Sequence, residues 1–213
     1  MLEEMNMAQY TVLTGDIIGS RKYKDFEKVI QEKISKIEYP ANMLTPFRLS
    51  RGDEIQALFK GKIAFPGFIR QVRYIMRPLE LRFGIGFGEI NEVSEMTDIR
   101  DSWALNGPAF HFARESLEAL ESENRFKTRF MSNNEIDEAI NTILFLIDTI
   151  QENWTDAQWE AIYYYEKLGT YKKAAEILKI APQNVGKRCN AARWKVVDYA
   201  EKSIIRLVEK YID

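Results

Sequence analysis

One cysteine (Cys189) and one histidine (His111) in 213 residues remove several chemistries at once. A lone thiol excludes an internal disulfide framework and a multi-cysteine zinc centre, and it points to a reducing, cytoplasmic setting. A single imidazole argues against zinc hydrolases and serine triads. Long apolar runs are missing too: none approaches the roughly 20 residues that span a bilayer, so no membrane partner is expected. The acidic start Met1-Leu2-Glu3-Glu4 has no basic region ahead of an apolar one, and no signal peptide is expected. A strong excess of either charge is also lacking, the net being only -2.

What the sequence does have is 46% hydrophobic residues, with 12% aromatics, enough to bury a core. Its charge is unevenly placed. Between Lys167 and Lys210 stand eleven Lys and Arg against four Asp and Glu, so the rest of the chain is acidic. That asymmetry is the pattern of an acidic sensing or catalytic body joined to a basic reading module.

The body is organised around Thr14-Gly15-Asp16-Ile17-Ile18-Gly19-Ser20-Arg21, where the apolar run Tyr10–Leu13 ends in glycine and a carboxylate. A second glycine-acid pair, in Arg51-Gly52-Asp53-Glu54, lies between Phe47–Ser50 and Ile55–Phe59, which is a hairpin signal with acids at its tip. Two readings stand. Adjacent strand ends carrying Asp16 and Asp53 offer hard oxygen ligands to a divalent cation and, through it, to a polyphosphate. Glycine-aspartate pairs are equally the ordinary chemistry of turns.

Helical spacing predicts a helix over 25–37, stopped by Tyr39-Pro40, and a second over 63–76. Clean alternation over 79–90 predicts a strand whose glycines 84, 86 and 88 share one face. Bare backbone of that kind seats either a ligand or a closely packed helix. Residues 91–103 read as a polar, mobile connection, and Asn106-Gly107-Pro108 opens a helix with the stripe Phe110, Ala113, Leu117 and Leu120. An edge strand is expected within 125–131. Ser132 and Glu135 then form a capping box for a helix ending near Gln151. This order predicts an α+β sandwich with helices on an antiparallel sheet, occupying residues 1–151.

A second, all-α unit is expected over 152–213. Thr155 and Gln158 cap one helix that ends at Gly169, Thr170–Leu178 forms a second, and Lys179-Ile180-Ala181 makes a turn. A third helix begins at Pro182 and continues through Ala192, Trp194 and Val197, completing a helix-turn-helix. Gln183, Asn184, Lys187, Arg188 and Asn190 lie along its exposed part and suit contacts with base edges and phosphates, so DNA is the expected partner. The alternative is a plain bundle with a solvated basic face. Trp194 and Tyr199 are expected in the core, and Cys189 as a packed residue rather than a nucleophile.

The stretches Thr14–Arg21, Arg51–Glu54, Arg82–Glu89 and Asn106–Ala109, followed by a basic helix-turn-helix, together resemble the SatD family of small bacterial proteins. The N-terminal motifs are similar in turn to class III nucleotide cyclases and, more loosely, to GGDEF diguanylate cyclases. The resemblance implies a ferredoxin-like, nucleotide-cyclase-like body that forms a homodimer. It also implies Mg²⁺ on Asp16 and Asp53, and a nucleotide at Gly15, Ile17, Gly19, Arg51 and Gly52. Departures are plain. The asparagine and arginine that stabilise a cyclase transition state are replaced by His111 and Glu115, with Arg114 one place early, and the base-reading lysine is Leu49. Arg51 holds the place of the first glycine of GGDEF. A site that keeps metal acids and loses transition-state donors is expected to bind rather than turn over. A DNA-binding regulator is therefore the first reading, with a metal-dependent phosphoryl-transfer enzyme and a protein-interaction scaffold as alternatives.

Overall fold

Leu13 and Ile17 of the first strand, β1 (Tyr10–Ile18), join one apolar cluster and Val12 joins another, so the strand is covered on both faces. The computed structural model describes residues 8–20, 23, 25–50, 52–91, 103, 105–123 and 126–212. After β1 come α1 (Phe26–Ile34), β2 (Met43–Leu49), β3 (Glu54–Lys60), α2 (Phe65–Met76) and β4 (Glu80–Gly88). Then follow α3 (Pro108–Glu123), β5 (Thr128–Met131) and α4 (Asp137–Gln151). Four more helices complete the chain: α5 (Asp156–Leu168), α6 (Tyr171–Leu178), α7 (Pro182–Ala191) and α8 (Trp194–Tyr211). Among the described residues no helix is long and apolar enough to cross a membrane.

The strands form one five-stranded sheet in the order β2-β3-β1-β4-β5, giving a mixed α+β architecture. Its first four strands are antiparallel neighbours, so the two helical crossovers, through α1 and α2, interleave. The expectation of a wholly antiparallel sheet fails at one edge, because β5 joins β4 in parallel. The reason lies in α3. A strand followed by a helix laid back across the sheet re-enters in its original direction, as parallel pairing requires.

On one face α2 buries Phe65, Phe68, Ile69, Val72 and Met76 against Leu13, Ile17, Phe59, Phe83 and Ile85 of the sheet. On the other face α3 settles on the glycines of β4. A Cβ at Gly84 would collide with the Ala113 carbonyl, and one at Gly86 with that of Ala109, whereas one at Gly88 would meet only ordinary contacts from 3.5 Å. The bare face is thus the seat of a helix rather than of a ligand, and the stripe Phe110, Ala113, Leu117 and Leu120 is buried as its spacing predicts.

Several boundaries move. The helix expected at Ser132 begins at Asp137: the Ser132 backbone N–H and hydroxyl both donate to the Asp137 carboxylate (2.7 and 2.6 Å), and Asn133 turns at φ 61°. By contrast the Thr155–Gln158 capping box forms, and Gly169 closes α5 in the left-handed region. The third C-terminal helix does not continue through Val197. It stops at Ala191, Arg193 turns at φ 56°, and Trp194 starts a new 18-residue helix. Trp194 is buried as expected, but Tyr199 is 70% exposed, outside the core, with the Arg206 guanidinium 5.6 Å over its ring. Most of the polar connection expected over 91–103 lies outside the described residues.

The apolar core runs without a break from the sheet into the C-terminal helices, through Trp154, Trp159, Ile162, Val185, Trp194, Val197 and Ile204. Arg70 of α2 is the polar counterpart of that continuity. It is 3% exposed and donates to Glu201 of α8 (2.8 and 3.1 Å) and to Glu166 of α5, with Trp194 4.4 Å from its guanidinium.

Candidate functional site

Cross-strand register builds the first candidate. Asp16 stands opposite Glu54 of β3 on one side and opposite Arg82 of β4 on the other. Like charges directly opposite destabilise a sheet, whereas opposite charges stabilise it. The conflict is resolved by two arginines. Arg82 donates to both Asp16 oxygens (3.1 and 3.0 Å), and Arg114 reaches from α3 to both Glu54 oxygens (2.7 and 2.6 Å). Asp53 belongs to the same strand end: its carbonyl accepts from the Ile17 N–H (3.2 Å) and its carboxylate from the Ser20 hydroxyl (2.5 Å). Burial lifts the Asp16 carboxyl above its usual range, Arg82 opposes that, and the charges of Asp53 and Glu54 add to it. Beside it, Gln56 donates to the Thr14 hydroxyl (3.1 Å), and its own Oε1 is buried without a donor.

The residues expected around a nucleotide separate into two groups. Gly15 and Ile17 are buried inside the strand, where a Cβ at Gly15 would lie 2.7 Å from the Phe83 ring. Gly19 (φ 71°) and Gly52 (φ 126°) are exposed at the tips, in backbone that glycine alone adopts easily. Arg51 lies outside the described residues. Asp16 and Asp53 do share one end of the sheet, and they offer the hard oxygens a magnesium ion takes. Most of those oxygens are already engaged, however. Both Asp16 oxygens, one Asp53 oxygen and both Glu54 oxygens accept from Arg82, Ser20 and Arg114. Among the described residues no group of three or more His, Cys, Asp or Glu is placed to hold a metal ion. The set as arranged does not fit a divalent cation. Sequence reasoning missed Arg82 as its partner, because that pairing depends on register rather than on any local motif.

The second candidate is the surface of α7. Pro182 opens this helix at its first turn, and Val185, Gly186 and Cys189 are its buried side, Gly186 lying against the Tyr171 ring of α6. Burial pushes the Cys189 thiol up to about 11, so it is a protonated packing residue. Gln183, Asn184, Lys187 and Asn190 are exposed and Arg188 is half-buried. Among the described residues none of these five side chains is spent on a hydrogen bond or ion pair within the chain. Lys172, Lys173 and Lys179 are exposed before α7, as are Arg193 and Lys195 after it. This contrasts with Arg70, Arg73, Arg77, Arg82, Arg114, Lys127 and Lys167, all of which are paired with carboxylates.

The chain belongs to the SatD family, whose model matches residues 10–208. No curated protein matches it. Solved structures similar to it include two of differing description. One is the structure of a bacterial light-regulated adenylyl cyclase, at 16% identity over 70% of this chain and 81% of that one, with a TM-score of 0.36. The other is a regulator of polyketide synthase expression from Bifidobacterium adolescentis, at 14% identity over 95% of this chain and 87% of that one, with a TM-score of 0.27. Both likenesses are too slight to carry fold or function.

Proposed function

We propose that this SatD-family chain is a DNA-binding transcription regulator. Residues 152–213 read the duplex, with α6 and α7 as a helix-turn-helix, and a ferredoxin-like, cyclase-like body over residues 1–151 supplies the regulatory input. The observation that carries this reading is the unspent face of α7. Gln183, Lys187 and Asn190 follow one another at helical spacing with their hydrogen-bonding capacity free. Amide side chains pair bidentately with adenine, and lysine or arginine with guanine or phosphate. The exposed cations of α6 and of the start of α8 would lie beside the groove and meet phosphate, which positions a protein without specifying sequence. A homodimer placing two copies of α7 about one helical turn apart is the arrangement that a palindromic site would demand.

The test is fluorescence anisotropy of labelled duplex DNA with the full chain across a salt series, beside a Lys187→Glu, Arg188→Glu double variant. The reading expects binding that weakens steeply with salt, by about 0.9 log unit in affinity per log unit of salt for each phosphate neutralised. It also expects that binding to vanish in the variant. Absence of binding by the intact chain at low salt, or binding that survives both charge reversals, overturns it.

A further inference from the structure

We propose that the guanidinium of Arg82 is the resident cation of the sheet-end site, filling the role a divalent ion would have there, so that the wild-type chain takes no metal at Asp16. Strand register sets the pair. Arg82 is the residue directly opposite Asp16, so β4 delivers its charge to the carboxylate without any loop having to close. The pair is held on two points at 3.1 and 3.0 Å and is largely buried, the side chains being 14% and 10% exposed. A paired, planar, permanently charged group of this kind holds a carboxylate in fixed geometry. A magnesium ion would have to approach oxygens already bonded to a guanidinium, against the repulsion of a cation that cannot lose its proton.

The surroundings lead to the same conclusion. Three carboxylates, Asp16, Asp53 and Glu54, meet two guanidiniums, Arg82 and Arg114, with Arg114 at 48% exposure also held by Glu118. Arg114 is thus a rim partner for Glu54, and Arg82 is the cation that compensates the buried Asp16. Removing it leaves an uncompensated carboxylate beside two others, Asp53 and Glu54, whose charges already act on Asp16. That combination either takes up a proton or captures a cation from solvent. The same wall carries the buried Gln56 Oε1, a hard oxygen with no donor.

The experiment is Mn²⁺ binding by the full chain, followed by calorimetry and by the electron spin resonance of free Mn²⁺. Its samples are wild type, Asp16→Asn, Arg82→Gln and the Arg82→Gln, Asp16→Asn double variant. Wild type and Asp16→Asn should be indistinguishable. Arg82→Gln should gain a site at least about tenfold tighter than anything in wild type, as expected when a buried carboxylate loses its charge partner, and the double variant should lose it. Wild-type Mn²⁺ binding that Asp16→Asn weakens about tenfold or more would overturn the proposal, and that comparison stands even if Arg82→Gln fails to fold. A folded Arg82→Gln that gains no site even at alkaline pH, where a proton no longer competes for the carboxylate, would overturn it as well.

Discussion

Arg82 and Gly84 sit two positions apart on the same face of β4, one filling space with charge and the other leaving space for a helix. Gly84→Ala and Gly86→Ala each force a methyl group into the α3 backbone, which cannot swing away as a flexible side-chain end would. Each should cost at least about 3 kcal/mol, the upper part of the overpacking range. Gly88→Ala, with its nearest atoms at 3.5 Å, should change stability by less than about 1 kcal/mol. Urea unfolding of the three variants checks the contrast; equal losses at 84 and 88 would refute the close seat. Asp16 gives a second expectation. Because burial raises its carboxyl above the ordinary 3.8, the folded chain binds that proton more tightly than the unfolded one. Its contribution to stability is full below about pH 4 and is lost as pH rises through the folded value. Wild type should therefore lose stability relative to Asp16→Asn as pH rises above about 4, as read by urea midpoints. A difference that moves the opposite way would show that Arg82 outweighs burial.

Elements declared themselves in the sequence where a local cause fixes them. The alternation of β4, the bare glycine face, the Thr155–Gln158 cap and the Gly169 stop depend on residues within a few positions of one another. What stayed hidden depends on partners far along the chain or on a single backbone angle. Arg82 finds Asp16 across 66 residues through register. The break at Arg193 is a left-handed turn at a residue with no special signature, and Ser132 serves Asp137 instead of its own helix. Tyr199 misled because aromatic content suggests burial, while α8 buries Val197, Glu201, Ile204 and Val208 and leaves Tyr199 outside. For α7 the exposed cation and amide have separable effects. Lys187→Ala should flatten the dependence of log affinity on log salt by about 0.9, the signature of one lost phosphate contact. Gln183→Ala should leave that slope unchanged and relax sequence preference. Competition binding on a panel of duplexes at several salt concentrations distinguishes the two, and the same slope for Lys187→Ala as for wild type would remove that lysine from the interface.

At the scale of the whole molecule the sheet body and the C-terminal helices share one core and one buried charge network. Arg70 ties α2 to α5 and α8. Burial works against its charge, yet Glu201 and Glu166 hold it well above the ordinary range. Burial raises the Glu201 carboxyl in turn, with Arg70 opposing it and Glu166 adding to it. Arg70→Met should cost about 3–5 kcal/mol because it strands a buried carboxylate, and adding Glu201→Leu should recover part of that loss. Additive losses in urea unfolding would show that the two residues act apart. This network joins α2 directly to α5 and α8, two helices that pack against α7 from either side of it in the chain. Ultraviolet crosslinking of the full chain to bound duplex DNA, with the attached peptides identified by mass spectrometry, reports directly where the nucleic acid lies. Crosslinks should fall on Pro182–Ala191 and on the basic residues flanking it. Crosslinks confined to the sheet body, with α7 untouched, would mean that this helix is not the reader.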